Sequence, residues 1–493
     1  MARLSKSRYL SGLQCDKRVY LETHHPELAT PPDDATRAVL DMGTEVGVLA
    51  RQRFPGGVLV TAGYRQTQAA LEQTARLLSD PAVPAVFEAA VLAHGVLIRV
   101  DVLERTVLPD GSAGWRLIEV KSSTRKKEVH LDDLALQAFV LAGAGLALSG
   151  CWLMHVNTQY AFDGGPVDAA RLFTLVEVTE ELAPRLAEVP ARVAAMHELL
   201  ERPAAPAVEP GGHCQTPYAC PFWEHCTKDK PARWVYHLPG SRRWLPLWQS
   251  QGIETIDALP EDATLSPIQR RVRANVEWCS PDLERLLRSV RYPVHHLDFE
   301  TIMPAIPRFK ETRPYQVLPV QWSNHIESEA GDVHHHEYLA PGGEDPRREL
   351  TERLLESLGE TGSICVYSQY ERSVLEGLAE AFPQWRADLH AVKKRLWDLF
   401  EVVQGHYYHP GFNGSYSIKA VLPAVVPSLS YTDLDIQGGA VAAREYVRLA
   451  FEVQDWIERD RLATALKAYC ARDTLAMVEL RRRLLQRAGA LKS

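Results

Sequence analysis

The chain has 493 residues, of which 46% are hydrophobic and 24% are charged, a balance typical of a soluble globular protein. Because this length exceeds what one ordinary core accommodates, we expect two domains and a linker. The formal net charge of −8 excludes a general basic field for nucleic acid, so any such partner must be met by local patches.

Targeting signals and cysteine usage narrow the class further. The start of the chain, Met1 to Ser7, lacks the apolar core of a signal peptide, and the longest apolar run, Leu134 to Leu148, is too short to span a bilayer. A cytoplasmic location is therefore expected. Eight cysteines in such a chain argue against a disulfide framework and favour free thiols or metal ligation.

The first half predicts helices around a short β-meander. A helix capped by Ser5 is expected to run to about Tyr20 with Cys15 inside it. Further helices are predicted over 34–54, 66–78, 131–148 and 180–201, the last kinked at Pro190, with strands over 83–92, 96–103, 115–122 and 151–156.

Two acids and a lysine meet at one edge of this predicted sheet. Asp101 ends one strand, and Glu119 and Lys121 lie two residues apart at the end of its neighbour. Two carboxylates can hold Mg²⁺ or Mn²⁺, while an ammonium group orients water and offsets the charge of a phosphate. The pattern therefore predicts metal-assisted hydrolysis of a phosphate ester.

This segment, followed by a helix that carries Gln137, resembles the PD-(D/E)xK nucleases, specifically the RecB and AddB type that includes the CRISPR adaptation exonucleases. The resemblance implies a restriction-endonuclease-like fold, a metal on Asp101 and Glu119, Lys121 as a catalytic residue and Gln137 as a nucleic-acid contact. Where that family often has a histidine ligand on an early helix, this chain has Gly43 to Gly47. Glu45 or Glu88 is the available substitute, or the position has none.

Four cysteines flank this unit. Cys15 precedes it, and Cys214, Cys220 and Cys226 follow it at even spacing. Four soft thiolates suit either a [4Fe-4S] cluster or Zn²⁺, although the Cys-x2-Cys knuckles usual for zinc are absent. The resemblance implies the cluster, because RecB-type nucleases join one early cysteine to three late ones as a structural staple. Zinc is the alternative.

A stretch rich in Trp, Arg and Pro, residues 229–289, is expected to form a mainly helical connector. Its part from Leu247 to Ile256 resembles one arm of a helix-hairpin-helix module. Its aromatic and basic side chains would suit either packing between domains or stacking on single-stranded bases.

In the second half, a strand over 294–301 carries Asp298 and Glu300 on the same face. Two acids held this close repel each other unless a divalent cation lies between them. Two more strands, a helix, a buried strand over 364–368 and a helix over 371–382 follow, which is the order of an RNase H-like sheet. A long helix over 459–485 places Tyr469 and Asp473 on one face.

These residues together resemble the DnaQ-like 3′-to-5′ exonucleases of the branch that uses tyrosine. The resemblance implies two metal ions held by Asp298, Glu300 and Asp473, with Tyr469 orienting the attacking water. The family's remaining acid corresponds to Glu371, with Asp398 as the competing candidate. Lys419, in a segment similar to the family's groove-lining Tyr-Ser-Leu-Lys, would contact phosphate.

The predicted organisation is therefore an α/β chain with three parts. A RecB-type nuclease-like domain spans 1–228, the connector spans 229–289, and a DnaQ-type domain spans 290–493. Together the two resemblances indicate a bacterial two-nuclease family that trims the ends of DNA, with RNA as a further possible substrate. The alternatives are a nucleic-acid-binding scaffold without catalysis and a protein in which only one of the two domains is active.

Overall fold

The computed structural model describes residues 4–490 and divides the chain into two compact units. The first contains the residues up to 230 together with 304–315, and the second contains 231–303 and the residues from 316 onward. The architecture is mixed α/β, which confirms the predicted class at that level. The predicted connector, from residue 231 onward, lies within the second unit. No described helix is both long and apolar enough to cross a bilayer.

The first unit is built on one mixed sheet. Its strands are β1 (Leu4–Ser5), β2 (Val58–Leu59), β3 (Ala85–Ala93), β4 (Val96–Val107), β5 (Ala113–Lys121), β6 (Leu148–Val156) and β7 (Phe173–Glu177). Its helices are α1 (Lys6–Gln14), α2 (Asp16–His24), α3 (Asp34–Ala50), α4 (Thr67–Ser79), α5 (Glu128–Gly143), α6 (Ala169–Leu172), α7 (Ala183–Leu200) and α8 (Trp223–Thr227).

The strand order is β2-β3-β4-β5-β6-β7, with β1 pairing in parallel with β4. The strands β3, β4 and β5 form an antiparallel meander, and α5 connects β5 to the parallel strand β6. The helix α5 is buried over most of its length because it packs on β3, β4 and β6. The opposite face of the sheet packs against α3 and the segment 304–315.

One local prediction in this unit was wrong, and three strands were missed. The single helix expected through Cys15 is two helices, because Cys15 is extended (φ −166°) between α1 and α2. The strands β1, β2 and β7 were not predicted. Pro190 lies inside α7, which runs through it as one helix.

The second unit combines a five-stranded sheet with many helices. Its strands are β8 (Trp278–Cys279), β9 (Val294–Ile302), β10 (Leu318–Glu327), β11 (Val333–Leu339), β12 (Ser363–Val366), β13 (Leu396–Asp398) and β14 (Tyr407–Tyr408). Its helices are α9 (Leu245–Ser250), α10 (Pro267–Ala274), α11 (Leu283–Leu287), α12 (Arg347–Leu358), α13 (Tyr370–Ala381), α14 (Arg386–Lys394), α15 (Leu399–His406), α16 (Ile418–Val425), α17 (Gly439–Val447) and α18 (Trp456–Ala490).

The main sheet has the order β11-β10-β9-β12-β13. The strands β9, β10 and β11 are antiparallel, whereas β12 and β13 run parallel to β9. Apolar side chains of α12, α13 and α14 cover one face of this sheet, and α18 packs across β9 and β10. The long helix α18 therefore lies against the face of β9 that points away from this apolar core.

Candidate active sites

Two carboxylates lie on one face of β9. Leu297 and Phe299 pack into the core formed with α12 to α14, so the alternation of a strand turns Asp298 and Glu300 to the opposite face, against α18. Glu300 is buried, and Asp298 is half-buried opposite Ser323 of β10. Water can therefore do little to stabilise the charge of Glu300, and its access to Asp298 is reduced.

The helix α18 brings a second set of groups to the same place. Tyr469 and Asp473 lie one turn apart and are both buried. Between them, Cys470 places its Sγ 3.8 Å from Oδ2 of Asp298. Ligand atoms of Asp298, Glu300 and Cys470 lie within 4.8 Å of one another, the one such group of three among residues 4–490.

A fourth acid lies at the start of α13. Glu371 is buried, and the Ser368 hydroxyl donates to its Oε2 at 3.1 Å. The competing candidate, Asp398, caps α15: its Oδ1 accepts from the backbone N–H of Phe400 at 2.9 Å and of Glu401. Glu371 lines the same cavity as Asp298, whereas Asp398 serves as a helix cap.

A cavity of about 180 Å³ lies at this site. It is lined by Asp298, Glu371, Asp473, Tyr469 and Lys419, among others. The Lys419 side chain is exposed, its Nζ lies 5.5 Å from the centre of the Tyr469 ring, and it donates to the backbone oxygen of Gln437 at 2.6 Å. The cavity thus has acids inside and a cation at its rim.

The buried acids resist ionisation together. Burial, and then the charges of Asp473, Glu300 and Glu371, raise the pKa of Asp298 well above its ordinary value. Burial, followed by the charge of Asp473, does the same to the pKa of Glu300. Burial raises the pKa of Glu371 to about 7. Four carboxylates in one desolvated cavity need added positive charge to be ionised together at neutral pH.

A second tyrosine, which the sequence analysis missed, also contacts Asp473. The Tyr431 hydroxyl donates to Asp473 Oδ1 at 2.5 Å, and Lys419 Nζ lies 5.6 Å from the Tyr431 ring centre. Burial raises the pKa of Asp473, while hydrogen bonds from Tyr431 and Tyr469 oppose that rise. Tyr431 lies in a loop between α16 and α17, so no helix or strand period marked it.

In the first unit, Asp101 and Glu119 lie on adjacent antiparallel strands. The register pairs Val102 with Ile118, so the two acids are the next positions across β4 and β5. The backbone N–H of Val120 donates to Asp101 Oδ2 at 2.7 Å. Glu119 is 1% exposed, and its charge contributes to the raised pKa of Asp101. The strands therefore bring together the two acids that the sequence pattern singled out.

Two lysines contact Glu119 directly. Lys121 Nζ lies 2.5 Å from Glu119 Oε1 and 2.8 Å from Asp133 Oδ2. Lys6 Nζ, from the first turn of α1, lies 2.9 Å from Oε1 and 3.1 Å from Oε2 of Glu119. Neither Lys6 nor Asp133 was predicted. Asp133 lies one helical turn before Gln137, so the spacing of four residues was the signal available for it.

Gln137 requires a correction. It was expected to contact nucleic acid, but its side chain is fully buried, and its Nε2 donates to Glu119 Oε2 at 2.7 Å and to Asp133 Oδ1 at 2.8 Å. A buried amide with both acids as partners cannot reach a polymer outside the protein. Gln137 instead holds the two carboxylates in position.

Electrostatics separates the acids of this cluster. Burial opposes ionisation of Glu119, yet the charges of Lys121 and Lys6 hold its pKa well below the usual range. Burial, followed by the charge of Glu119, raises the pKa of Asp101 to about 7. Burial and the same neighbour also raise the pKa of Asp133. Of the three acids, Glu119 therefore ionises most readily.

The two substitutes considered for the absent histidine are ion-paired elsewhere. Arg308 Nη2 lies 2.5 Å from Glu45 Oε1, and Arg51 Nη2 lies 3.3 Å from Glu88 Oε1. Neither glutamate is in the network of Lys6, Glu119 and Asp133. Neither glutamate therefore replaces the histidine in this cluster, where Lys6 contacts Glu119 instead.

The four cysteines singled out in the sequence line one small enclosed cavity together with Lys17 and Arg18. All four are free thiols. Burial raises the pKa of Cys214, Cys220 and Cys226, for Cys220 to about 11, and the nearby charge of Cys15 adds to each rise. The break between α1 and α2 places Cys15 beside the other three.

Comparison with known families adds one finding. Residues 295–417 match the family model described as a domain of unknown function (DUF2779). The match contains Asp298, Glu300 and Glu371 and ends before Lys419, Tyr469 and Asp473. A comparison with curated proteins found no match.

Proposed function

We propose that this protein is a metal-dependent nuclease that hydrolyses phosphodiester bonds, acting on the ends of DNA and, as a further substrate, RNA. The proposal rests on one observation: Asp298, Glu371 and Asp473 line one cavity with Tyr469 and an exposed lysine, and the buried Glu300 lies within 4.8 Å of Asp298. A protein that only binds nucleic acid has no need for convergent buried carboxylates.

The donor atoms fit a hard divalent cation. Carboxylate oxygens are the ligands that Mg²⁺ and Mn²⁺ prefer, and such an ion supplies the charge that four acids lack. When bound, it would lower the pKa of a coordinated water and stabilise charge on the phosphoryl oxygens. Asp298, Glu300, Glu371 and Asp473 would hold it.

The remaining side chains of the cavity have separate tasks. The Tyr469 hydroxyl, beside Asp473 at the cavity wall, would orient the water that attacks phosphorus. Lys419 lies at the exposed rim, where its ammonium would pair with the phosphate backbone. Metal-binding acids inside the cavity and a cationic side chain at its rim suit a polymer with a negatively charged phosphate backbone.

Strand order supports an RNase H-like, DnaQ-type fold for the second unit. Three antiparallel strands followed by two parallel ones, with the acids on β9 and the long helix α18 across them, agree with that assignment. For the first unit we propose a restriction-endonuclease-like fold of the RecB type. The meander β3 to β5, with α5 leading to the parallel strand β6, supports it.

For the first unit we also propose a nuclease centre in which Asp101 and Glu119 hold Mg²⁺ or Mn²⁺ and Lys121 acts beside them. A specific observation favours the alternative that only the second unit is active: both oxygens of Glu119 already bind lysine and glutamine side chains. If the first unit is active, mutation of Lys121 should reduce cleavage. If only the second unit is active, it should not.

At the cysteines we propose a [4Fe-4S] cluster, with Zn²⁺ as the alternative. All four thiols line one small cavity, and their spacing lacks the Cys-x2-Cys knuckles usual for zinc. The task of the cluster would be structural, since it would tie Cys15 to the segment with Cys214, Cys220 and Cys226.

Iron content tests this cofactor directly. Anaerobically purified protein is expected to be brown, with iron and sulfide in the stoichiometry of one cluster per chain. Cys226→Ser should lose the colour and the iron, whereas Cys279→Ser, in the other unit, should keep both. Colourless protein that contains zinc would show that the four cysteines bind Zn²⁺ and not an iron-sulfur cluster.

Cleavage of end-labelled substrates tests the function. Single- and double-stranded DNA and RNA are incubated with Mg²⁺ or Mn²⁺ and wild type, Lys121→Ala or Asp473→Asn. Asp473→Asn is expected to abolish most cleavage, and Asp460→Asn, an exposed position on the same helix, should leave it unchanged. A loss with Lys121→Ala but not with the exposed-site control Lys310→Ala would assign activity to the first unit. Wild type that binds but never cuts would leave the scaffold reading.

A further inference from the structure

Lys6 occupies the centre of the acid cluster in the first unit. Its Nζ contacts both oxygens of Glu119, at 2.9 and 3.1 Å, and lies 3.7 Å from Asp133 Oδ1. Lys121 bridges the same two acids from another side, and the Gln137 amide donates to both. Two ammonium groups thus neutralise two carboxylates in a closed network.

The backbone fixes where Lys6 begins. Leu4 and Ser5 pair in parallel with Val96 and Leu97 of β4, and the Ser5 hydroxyl accepts from the backbone N–H of Arg8 as the cap of α1. The other end of that nine-residue helix is Cys15, in the thiol cavity. Because both ends of α1 are fixed, the position of Lys6 beside Glu119 is set by the backbone.

This arrangement leaves no free lone-pair direction for a metal at Glu119. Oε1 accepts from Lys6 and Lys121, and Oε2 accepts from Lys6 and Gln137. A carboxylate oxygen accepts about two such bonds, so a divalent cation can bind Glu119 only where a donor leaves. In the described chain, the hydrogen bond to Asp101 comes from the Val120 backbone, so Asp101 offers an oxygen to a metal more readily.

We propose that Lys6 is an internal counter-cation that competes with the divalent metal for Glu119, and that metal binding between Asp101 and Glu119 displaces its ammonium group. The inference rests on the metal centre proposed above for the first unit. Lys6 is the donor that leaves, because Lys121 and Gln137 also hold Asp133 at 2.8 Å, whereas Lys6 lies 3.7 Å from that acid.

The exchange needs a side-chain rotation and no backbone movement. The Lys6 side chain is 23% exposed, so a change of rotamer can move its ammonium group from Glu119 towards water. A divalent cation at Glu119 would add two positive charges beside the ammonium groups of Lys6 and Lys121, and the added repulsion in a partly desolvated site favours the departure of one of them. The first unit therefore holds a resting state, with Lys6 bound, and a metal-bound state, with Lys6 released.

Metal binding without substrate tests this competition. The full chain carries Asp298→Asn and Asp473→Asn, which disable the cavity of the second unit, and Mn²⁺ is titrated while free Mn²⁺ is followed by electron paramagnetic resonance. In this background Lys6→Met, which keeps the length of the side chain, should tighten Mn²⁺ binding at least about fivefold, the lower end of ordinary coupling between competing ligands. Lys6→Arg, which keeps the charge, should not.

Two controls make the result specific. Lys310→Met removes the same charge from an exposed site of the first unit and should leave Mn²⁺ affinity unchanged. Asp101→Asn added to Lys6→Met should abolish the gain. Affinity that stays the same or falls in Lys6→Met and Lys6→Ala, or a gain that survives Asp101→Asn, would overturn the proposal. Because Mn²⁺ binding is read without turnover, this outcome is independent of whether the protein cleaves nucleic acid.

Discussion

The Cys470 thiol lies 3.8 Å from Oδ2 of Asp298, so a soft donor stands beside the two hard acids of β9. Magnesium has little affinity for sulfur, whereas cadmium and zinc prefer it. We expect Cd²⁺ to occupy this position and to inhibit Mg²⁺-dependent cleavage. Cys470→Ser should raise the inhibitory Cd²⁺ concentration by roughly tenfold while cleavage with Mg²⁺ is retained.

The measurement is the Cd²⁺ concentration that halves the cleavage of end-labelled DNA at fixed Mg²⁺. Cys365→Ser is the matched control, because Cys365 is also buried in the second unit but lies outside the ligand group. Equal sensitivity of wild type and Cys470→Ser would show that the thiol does not take part in metal binding.

The pH dependence of stability follows from the buried acids. Burial raises the pKa of Glu371 to about 7 in the folded chain, above its ordinary value of about 4.5. Between these values the folded state binds more protons than the unfolded state, so the free energy of unfolding falls as the pH rises from about 4.5 to about 7. For this one group the loss is on the order of 3 kcal/mol.

Thermal unfolding of EDTA-treated protein across that pH range measures the slope. Glu371→Gln should flatten it, and saturating Mg²⁺ should reduce it because the metal replaces the protons. Asp101, whose pKa is also raised to about 7, contributes a slope of the same sign in the first unit, so Asp101→Asn is the parallel variant. A slope identical in wild type and Glu371→Gln would contradict the assignment of a buried, protonated Glu371.

Residues that share one face of a strand or helix could be predicted to lie together from their spacing. Residues that meet only through the tertiary fold could not. Asp298 and Glu300 share a strand face and Tyr469 and Asp473 share a helix face, so the periods of two and 3.6 residues were sufficient. Tyr431 lies in an irregular loop and Lys6 in the first turn of α1, where no period relates them to their partners. The helix break at Cys15 was missed because the local residues favour a helix, while the extended backbone there serves contacts with distant cysteines.

A variant of Tyr431 tests whether its hydrogen bond to Asp473 helps that acid to bind the metal. Its hydroxyl donates to Asp473 Oδ1, so Tyr431→Phe removes that hydrogen bond and leaves the ring in place. Loss of such a partner typically costs 10- to 100-fold in metal affinity or activity. We therefore expect the Mg²⁺ concentration for half-maximal cleavage to rise about tenfold.

Tyr469→Phe should behave differently, because this hydroxyl would act on the attacking water. Its effect is expected mainly on the maximal rate at saturating Mg²⁺, with a loss of about 10²-fold or more. Tyr446→Phe, a buried tyrosine outside the cavity, is the control for removal of a hydroxyl. If both site variants changed only the maximal rate, Tyr431 would have no part in holding the metal ligand.

A buried ion pair anchors α18, the helix that carries Tyr469 and Asp473. Arg481 Nη1 lies 2.8 Å from Oε2 of Glu327 on β10, and both side chains are almost fully buried. Arg482 binds the other oxygen of Glu327 at 2.8 Å from a more exposed position. Removing Arg481 leaves a buried carboxylate with one partner, and breaking a buried pair in this way costs about 3–5 kcal/mol.

Arg481→Met should therefore lower the free energy of unfolding of the second unit by that amount, measured by urea denaturation, whereas the exposed Arg483→Met on the same helix should change it little. Asp473 lies two turns before Arg481, so loosening this contact also shifts the acid relative to β9. Mg²⁺-dependent cleavage should fall in Arg481→Met at temperatures where the protein is still folded. Full activity in a destabilised variant would mean that other buried side chains of the helix, such as Leu462 and Leu466, fix α18 without the ion pair.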